Sequence, residues 1–131
     1  MAKHNEVGKI GEDLAIKYLF SRNFEIIVRN YLKKYGEIDI VARETDKIHF
    51  IEVKTVSYET KYDLNKAVSR GTWRPEENVH DEKIRRLKNV IQVWLIENSY
   101  NGEFQIDILT VRLVLEDMFA KINVIENVIF E

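Results

Sequence analysis

Asp39, Glu52 and Lys54 stand in the pattern D-x12-E-x-K, a set of residue types suited to metal-assisted phosphodiester hydrolysis. Two carboxylates that converge in a partly apolar cleft repel each other, and a hard divalent cation with oxygen ligands relieves that repulsion. Mg2+ or Mn2+ is therefore the expected cofactor. Glu52 and Lys54 fall on one face of a strand, since successive side chains alternate. The ammonium can then orient or help deprotonate an attacking water and neutralise charge developing on phosphate. The ordinary alternative is that these are solvated residues of an exposed edge. Against it, they continue the face of Ile48 and Phe50, so the polar pair emerges from a face that is apolar further back.

These residues need elements to hold them. Val7, Ile10, Leu14, Ala15, Tyr18 and Leu19 recur at helical spacing and predict a helix over residues 5–22, with Asn23 as its stop. Gly8, Gly11 and Ala15 leave one flank of that helix nearly bare, which allows close approach to another backbone. Glu12 on that flank can reach inward as a further metal ligand. Residues 24–31, 36–43 and 47–54 read as strands separated by KKYG and ETD turns, an antiparallel meander. Strict alternation places Ile38, Ile40 and Ala42 on one face of the second strand and Glu37, Asp39 and Val41 on the other. Glu37 ranks below Glu12 as a ligand, because a glutamate at a strand start is as readily solvated.

Residues 55–79, with Gly71 and the single proline Pro75, read as a long, partly ordered loop, and loops of that length are often functional. Ile84, Leu87, Ile91, Trp94 and Leu95 define a second helix over residues 80–98, followed by strands at 104–110 and 120–125.

The 131 residues carry a net charge of -2, with 45% hydrophobic and 32% charged residues, the balance of an ordinary globular protein. A single domain over residues 1–131 is expected. With no cysteine, thiolate zinc sites and disulfides are excluded. No run approaches the ~20 apolar residues of a membrane span and no signal peptide is visible, so a cytoplasmic location without membrane association is expected. Charge is unevenly spread: residues 61–88 hold eight basic and five acidic side chains, whereas residues 89–131 hold two and seven. Lys61, Lys66, Arg70, Arg74, Lys83 and Arg86 are accordingly the candidate phosphate contacts of a nucleic-acid partner. Trp73 could stack on a base. His4, His49 and His80 are too scattered for a metal cluster and receive no role.

The segments GKIGEDLAIKYL, RNYLKKYGEIDIVA, IHFIEVKT and FQIDILTV together resemble the YraN family of bacterial restriction-endonuclease-like proteins, and the outline is similar to that of archaeal Holliday junction resolvases. The resemblance runs over about residues 5–130, and the GEIDIVA and IEVKT pair is its specific part. It implies an α/β fold with a mixed β-sheet flanked by helices, in the order α-β-β-β-α-β-β. The PD-(D/E)xK motif of that class maps onto Asp39, Glu52 and Lys54, with Ile38 in place of the motif's proline, and Glu12 matches a first-helix glutamate. The resemblance implies a divalent-metal-dependent nuclease acting on branched or structured DNA. The alternative on the same fold is a non-catalytic module that binds nucleic acid or protein. A homodimer is compatible with either, and a third reading uses the apolar run INVIENVIF as an assembly interface.

Overall fold

The computed structural model describes residues 2–70 and 81–128. Its first element, α1 (Ala2–Ser21), buries Ala15 and Leu19 and packs Val7, Leu14 and Tyr18 around them. The helix stops where the periodicity predicts. Asn23 takes a left-handed backbone (φ 68°), the Asn23 N–H donates to Phe20 O and the Phe24 N–H donates to Leu19 O, which satisfies carbonyls the helix would otherwise leave open.

Strands β1 (Glu25–Lys33), β2 (Gly36–Glu44) and β3 (Lys47–Ser57) form the antiparallel meander. Next come the helices α2 (Lys61–Arg70) and α3 (Asp81–Glu97), then β4 (Phe104–Val114) and β5 (Phe119–Ile125). The sheet order is β1-β2-β3-β4-β5, with β3 and β4 parallel and every other pair antiparallel. A parallel pair needs a long crossover; the segment carrying α2 and α3 supplies it.

Helices cover both faces. On one, α1 packs over Ile40, Ala42, Ile51, Leu109, Val111 and Leu113. On the other, Leu87, Val90, Ile91 and Trp94 of α3 cover Ile38, Val41, Ile48 and Phe50, with the Phe50 and Trp94 rings edge to face at 5.4 Å. Each such fully buried side chain contributes about 1.5–3 kcal/mol, so α3 is anchored by four of them. This is a mixed five-stranded sheet flanked by helices, as expected. Among the described residues no helix is long and apolar enough to cross a membrane.

The structure corrects three sequence expectations. The stretch read as a loop contains α2, and β3 runs on to Ser57. Helix α2 buries only Leu64, so it lacks the apolar stripe by which helices are recognised. Its cap was visible: the Asp63 N–H donates to Thr60 Oγ1 at 3.0 Å, and an acid in the first turn suits the helix dipole.

Nor does β2 keep one alternation throughout. Ile38 packs with Val41 on the α3 side, while Ile40 faces α1. The change occurs where Asn30 adopts φ 52°, between the register pairs Arg29↔Ile40 and Tyr31↔Ile38. One left-handed residue, which asparagine tolerates, turns the end of the β1–β2 ribbon over. Asp39 sits at that turnover.

Candidate active site

Pairing between β2 and β3 runs from Glu44↔Lys47 to Ile40↔Ile51 and then ends, while β3 continues alongside β4 to Ser57. The two strands therefore fork immediately before Asp39. The Val53 N–H on the β2 side of β3 loses its backbone partner at this fork. Asp39 Oδ2 accepts it instead, at 2.8 Å. The carboxylate is thereby fixed in the mouth of the fork.

Its surroundings are acidic. Burial first, and then the negative charges of Glu52, Glu12 and Glu37, push the Asp39 carboxyl up to about 7 against the opposing Val53 N–H. Glu52 leans on Lys54, whose Nζ lies 3.2 Å from Glu52 Oε1, both side chains largely covered. Glu12 comes from the opposite face, on α1. Gly11 makes this possible: a Cβ there would lie 1.9 Å from Thr55 Oγ1, so only glycine lets α1 come this close to β3.

Two cavities meet at Asp39. One, of about 440 Å3 on the α3 side, is lined by Gly36, Glu37, Asp39, Glu52, Glu82 and Arg86. The other, of about 300 Å3 on the α1 side, is lined by Gly8, Lys9, Glu12, Asp39, Val53 and Thr55. Gly36 is again required by closeness, since a Cβ there would stand 2.8 Å from Val90 Cγ2 of α3.

The expected residues thus divide. Asp39 and Glu52 share the larger cavity with Arg86, whose Nε lies 3.5 Å from Glu82 Oε1. Glu12 shares the smaller one with Asp39, and Lys54 reaches the group through Glu52. Lys61, Lys66 and Arg70 lie on α2, which lines neither cavity among the described residues. Lys61 instead rests over the Phe119 ring and Lys66 over Tyr62. Arg74 and Trp73 lie outside the described residues, as does the side chain of Lys83.

Arg29 was not foreseen. Its Nη2 lies 3.2 Å from Glu12 Oε1 and 2.9 Å from Asp13 Oδ1, and its hydrogen bond holds the Asp13 carboxyl below the usual range. Arg29 therefore orients Glu12 from β1. Its only trace in the sequence is a cation inside the apolar run EIIVRNYL.

Chemically, the fork gathers oxygen donors around a carboxylate that is reluctant to ionise alone. Among the described residues no three His, Asp or Glu side chains close into a ready ligand cage. Such an arrangement fits an ion that keeps most of its own water and takes one or two protein carboxylates, the habit of Mg2+.

Sheet and flanking helices define a mixed α/β protein, the fold class expected from the sequence. The model of the family described as "Uncharacterised protein family UPF0102" matches residues 11–111. A UPF0102 protein of Campylobacter fetus subsp. fetus is 34% identical over 122 residues, covering 92% of this chain and 90% of that one. One of Campylobacter concisus is 39% identical over 108 residues, 80% and 82% of the two chains, and one of Aliarcobacter butzleri is 34% identical over 125 residues, 94% and 96%. The chain belongs to the UPF0102 family.

Proposed function

We propose that the protein is a divalent-metal-dependent nuclease that hydrolyses phosphodiester bonds, with branched or structured DNA as its substrate. The observation that carries this reading is the strand fork, in which Asp39, held by the Val53 N–H, stands beside the Glu52–Lys54 pair. Asp39 and Glu52 would hold Mg2+ or Mn2+, with Glu12 contributing through water. The bound ion supplies Lewis-acid polarisation of a phosphoryl oxygen and a more acidic water. In the hydrolysis a water oxygen would bond to phosphorus and give up a proton, one P–O bond to a sugar oxygen would break, and that oxygen would take up a proton, leaving a phosphomonoester and a hydroxyl. Lys54 neutralises charge on the phosphoryl oxygens as that exchange proceeds, and Arg86 at the cavity rim pairs with a neighbouring phosphate.

Preference for branched DNA rests on the outline shared with the junction resolvases, an analogy of fold. The test is cleavage of synthetic junctions, flaps, single strands and linear duplex by purified protein in Mg2+ and Mn2+. Lys54→Ala should keep DNA and metal binding and lose cleavage by roughly 10²- to 10³-fold, the scale for removing one electrostatic stabiliser. A wild type that binds but cuts none of these substrates would make the protein a binding module. Cleavage that survives in Asp39→Asn, Glu52→Gln and Lys54→Ala alike would place the chemistry elsewhere.

A further inference from the structure

At the opposite end of β2 and β3, beside their connecting turn, lies a separate cavity of about 370 Å3, lined by Glu44, Asp46, Glu103, Glu126 and Lys47, with His49 on its buried side. His49 is 2% exposed. Its Nδ1 lies 2.6 Å from Asp107 Oδ2, and Asp107 Oδ1 accepts from Gln105 Nε2 at 2.7 Å and from the Asn127 N–H at 2.9 Å. With its lone pairs so directed, the Asp107 carboxylate accepts from Nδ1–H, and in the tautomer this bond selects Nε2 carries the ring's lone pair. Among the described residues the buried Nε2 has no hydrogen-bond partner. It looks toward Glu44, whose Oε1 is 3.7 Å away.

A carboxylate that fixes one ring nitrogen while the other points at further carboxylates is the support that metal-binding histidines use. The distance agrees: two donors each about 2.1 Å from a tetrahedral ion lie roughly 3.4 Å apart, so a shift of a few tenths of an ångström suffices. Charge agrees as well. The lining carries four carboxylates against one ammonium, and that ammonium, Lys47 Nζ, donates to Gln105 Oε1 at 3.1 Å. An imidazole with a carboxylate suits zinc-class ions, unlike the oxygen-only fork, which suits Mg2+.

We propose that this cavity is a second cation site, binding a zinc-class divalent ion through His49 Nε2 and the Glu44 carboxylate, with water filling the remaining positions. Nothing in the reading of the Asp39 fork is needed for it. The test uses full-length protein stripped with chelator, titrated with Co2+ as an optical probe and with Zn2+ by calorimetry. The Asp39→Asn, Glu52→Gln double variant serves as background, so that an ion at the fork cannot be mistaken for one here. One equivalent should bind in the background protein, and wild type should bind it as well, together with any ion at the fork. In the background, Glu44→Gln should weaken binding at least about tenfold. Glu44 is half exposed, so this variant leaves the fold intact, and circular dichroism verifies that. In the background protein, Zn2+ should shift the His49 Nε2 nitrogen resonance, whereas Nδ1 keeps the signature of a protonated nitrogen. Absence of binding in wild type, binding unchanged by Glu44→Gln, or binding lost in the Asp39→Asn, Glu52→Gln background would each overturn the proposal.

Discussion

Asp39 and Asp107 are both covered aspartates on neighbouring parts of one sheet, and their carboxyls move in opposite directions. Burial pushes both upward. At Asp107 it is outweighed by hydrogen bonds from His49, the Asn127 N–H and Gln105, and the pKa ends below its usual value. Among the described residues Asp39 has one donor, the Val53 N–H, and burial with three neighbouring carboxylates pushes it up to about 7. The difference lies in the supply of donors and in the neighbouring carboxylates. One end of the sheet is internally satisfied as a charged group; the other is left wanting a cation, which is where perturbed groups mark a candidate functional site.

The largest effect that would break this comparison is on stability at the satisfied end. Asp107→Ala strips His49, Gln105 and the Asn127 N–H of their shared acceptor, so chemical denaturation should show a loss of about 3–5 kcal/mol, each buried donor left without an acceptor costing about 1–3 kcal/mol. A loss below about 1 kcal/mol, the level of an exposed pair, would mean that Asp107 is not held as described.

At the fork the effect should have the opposite sign. Asp39 titrates at a higher pH in the folded than in the unfolded chain, so between about pH 4 and about pH 7 the folded state binds the extra proton, and stability falls as pH rises through that window. Asp39→Asn removes this decline and should leave the metal-free protein more stable than wild type at pH 8. Asp107 behaves inversely: its folded pKa is lowered, so its contribution is present above the unfolded value and disappears as pH falls through the folded one. Thermal melts from pH 3 to pH 8 separate the two.

Mg2+ should sharpen the contrast. At a hundredfold its dissociation constant a ligand stabilises by about 2.7 kcal/mol, so wild type should melt higher with Mg2+ and Asp39→Asn should not. Equal shifts in both proteins would remove the fork as the binding site. Because binding displaces the Asp39 proton, affinity should also rise as pH passes upward through 7.

The smallest effect concerns the basic residues. Arg86 lines the larger cavity and α2 lines neither, so Arg86→Glu should flatten the salt dependence of DNA binding by about 0.9 in log-log slope for each phosphate no longer neutralised. Lys61→Glu with Lys66→Glu should change it less. The reverse ranking would move the nucleic-acid path to α2.

Local rules in the sequence determined much of this. Apolar spacing and the Asn23 stop placed α1, short turns placed the meander, and the bare Gly11 flank foretold an inward Glu12. Glu52 and Lys54 were legible as a pair because alternation along a strand is a local property. Helix α2 was not, since one buried leucine gives no stripe and its Thr60–Asp63 cap was the only cue. Only the tertiary structure decided that β2 and β3 separate beyond Ile40↔Ile51, that Asn30 turns the ribbon at Asp39, and that Arg29 holds Glu12. It also united His49 with Asp107, 58 residues apart, across the parallel β3–β4 pair. Residue spacing encodes which way a side chain leaves its own backbone. Which strands stay paired, and which polar groups are left to satisfy one another, depends on contacts between segments distant in the chain.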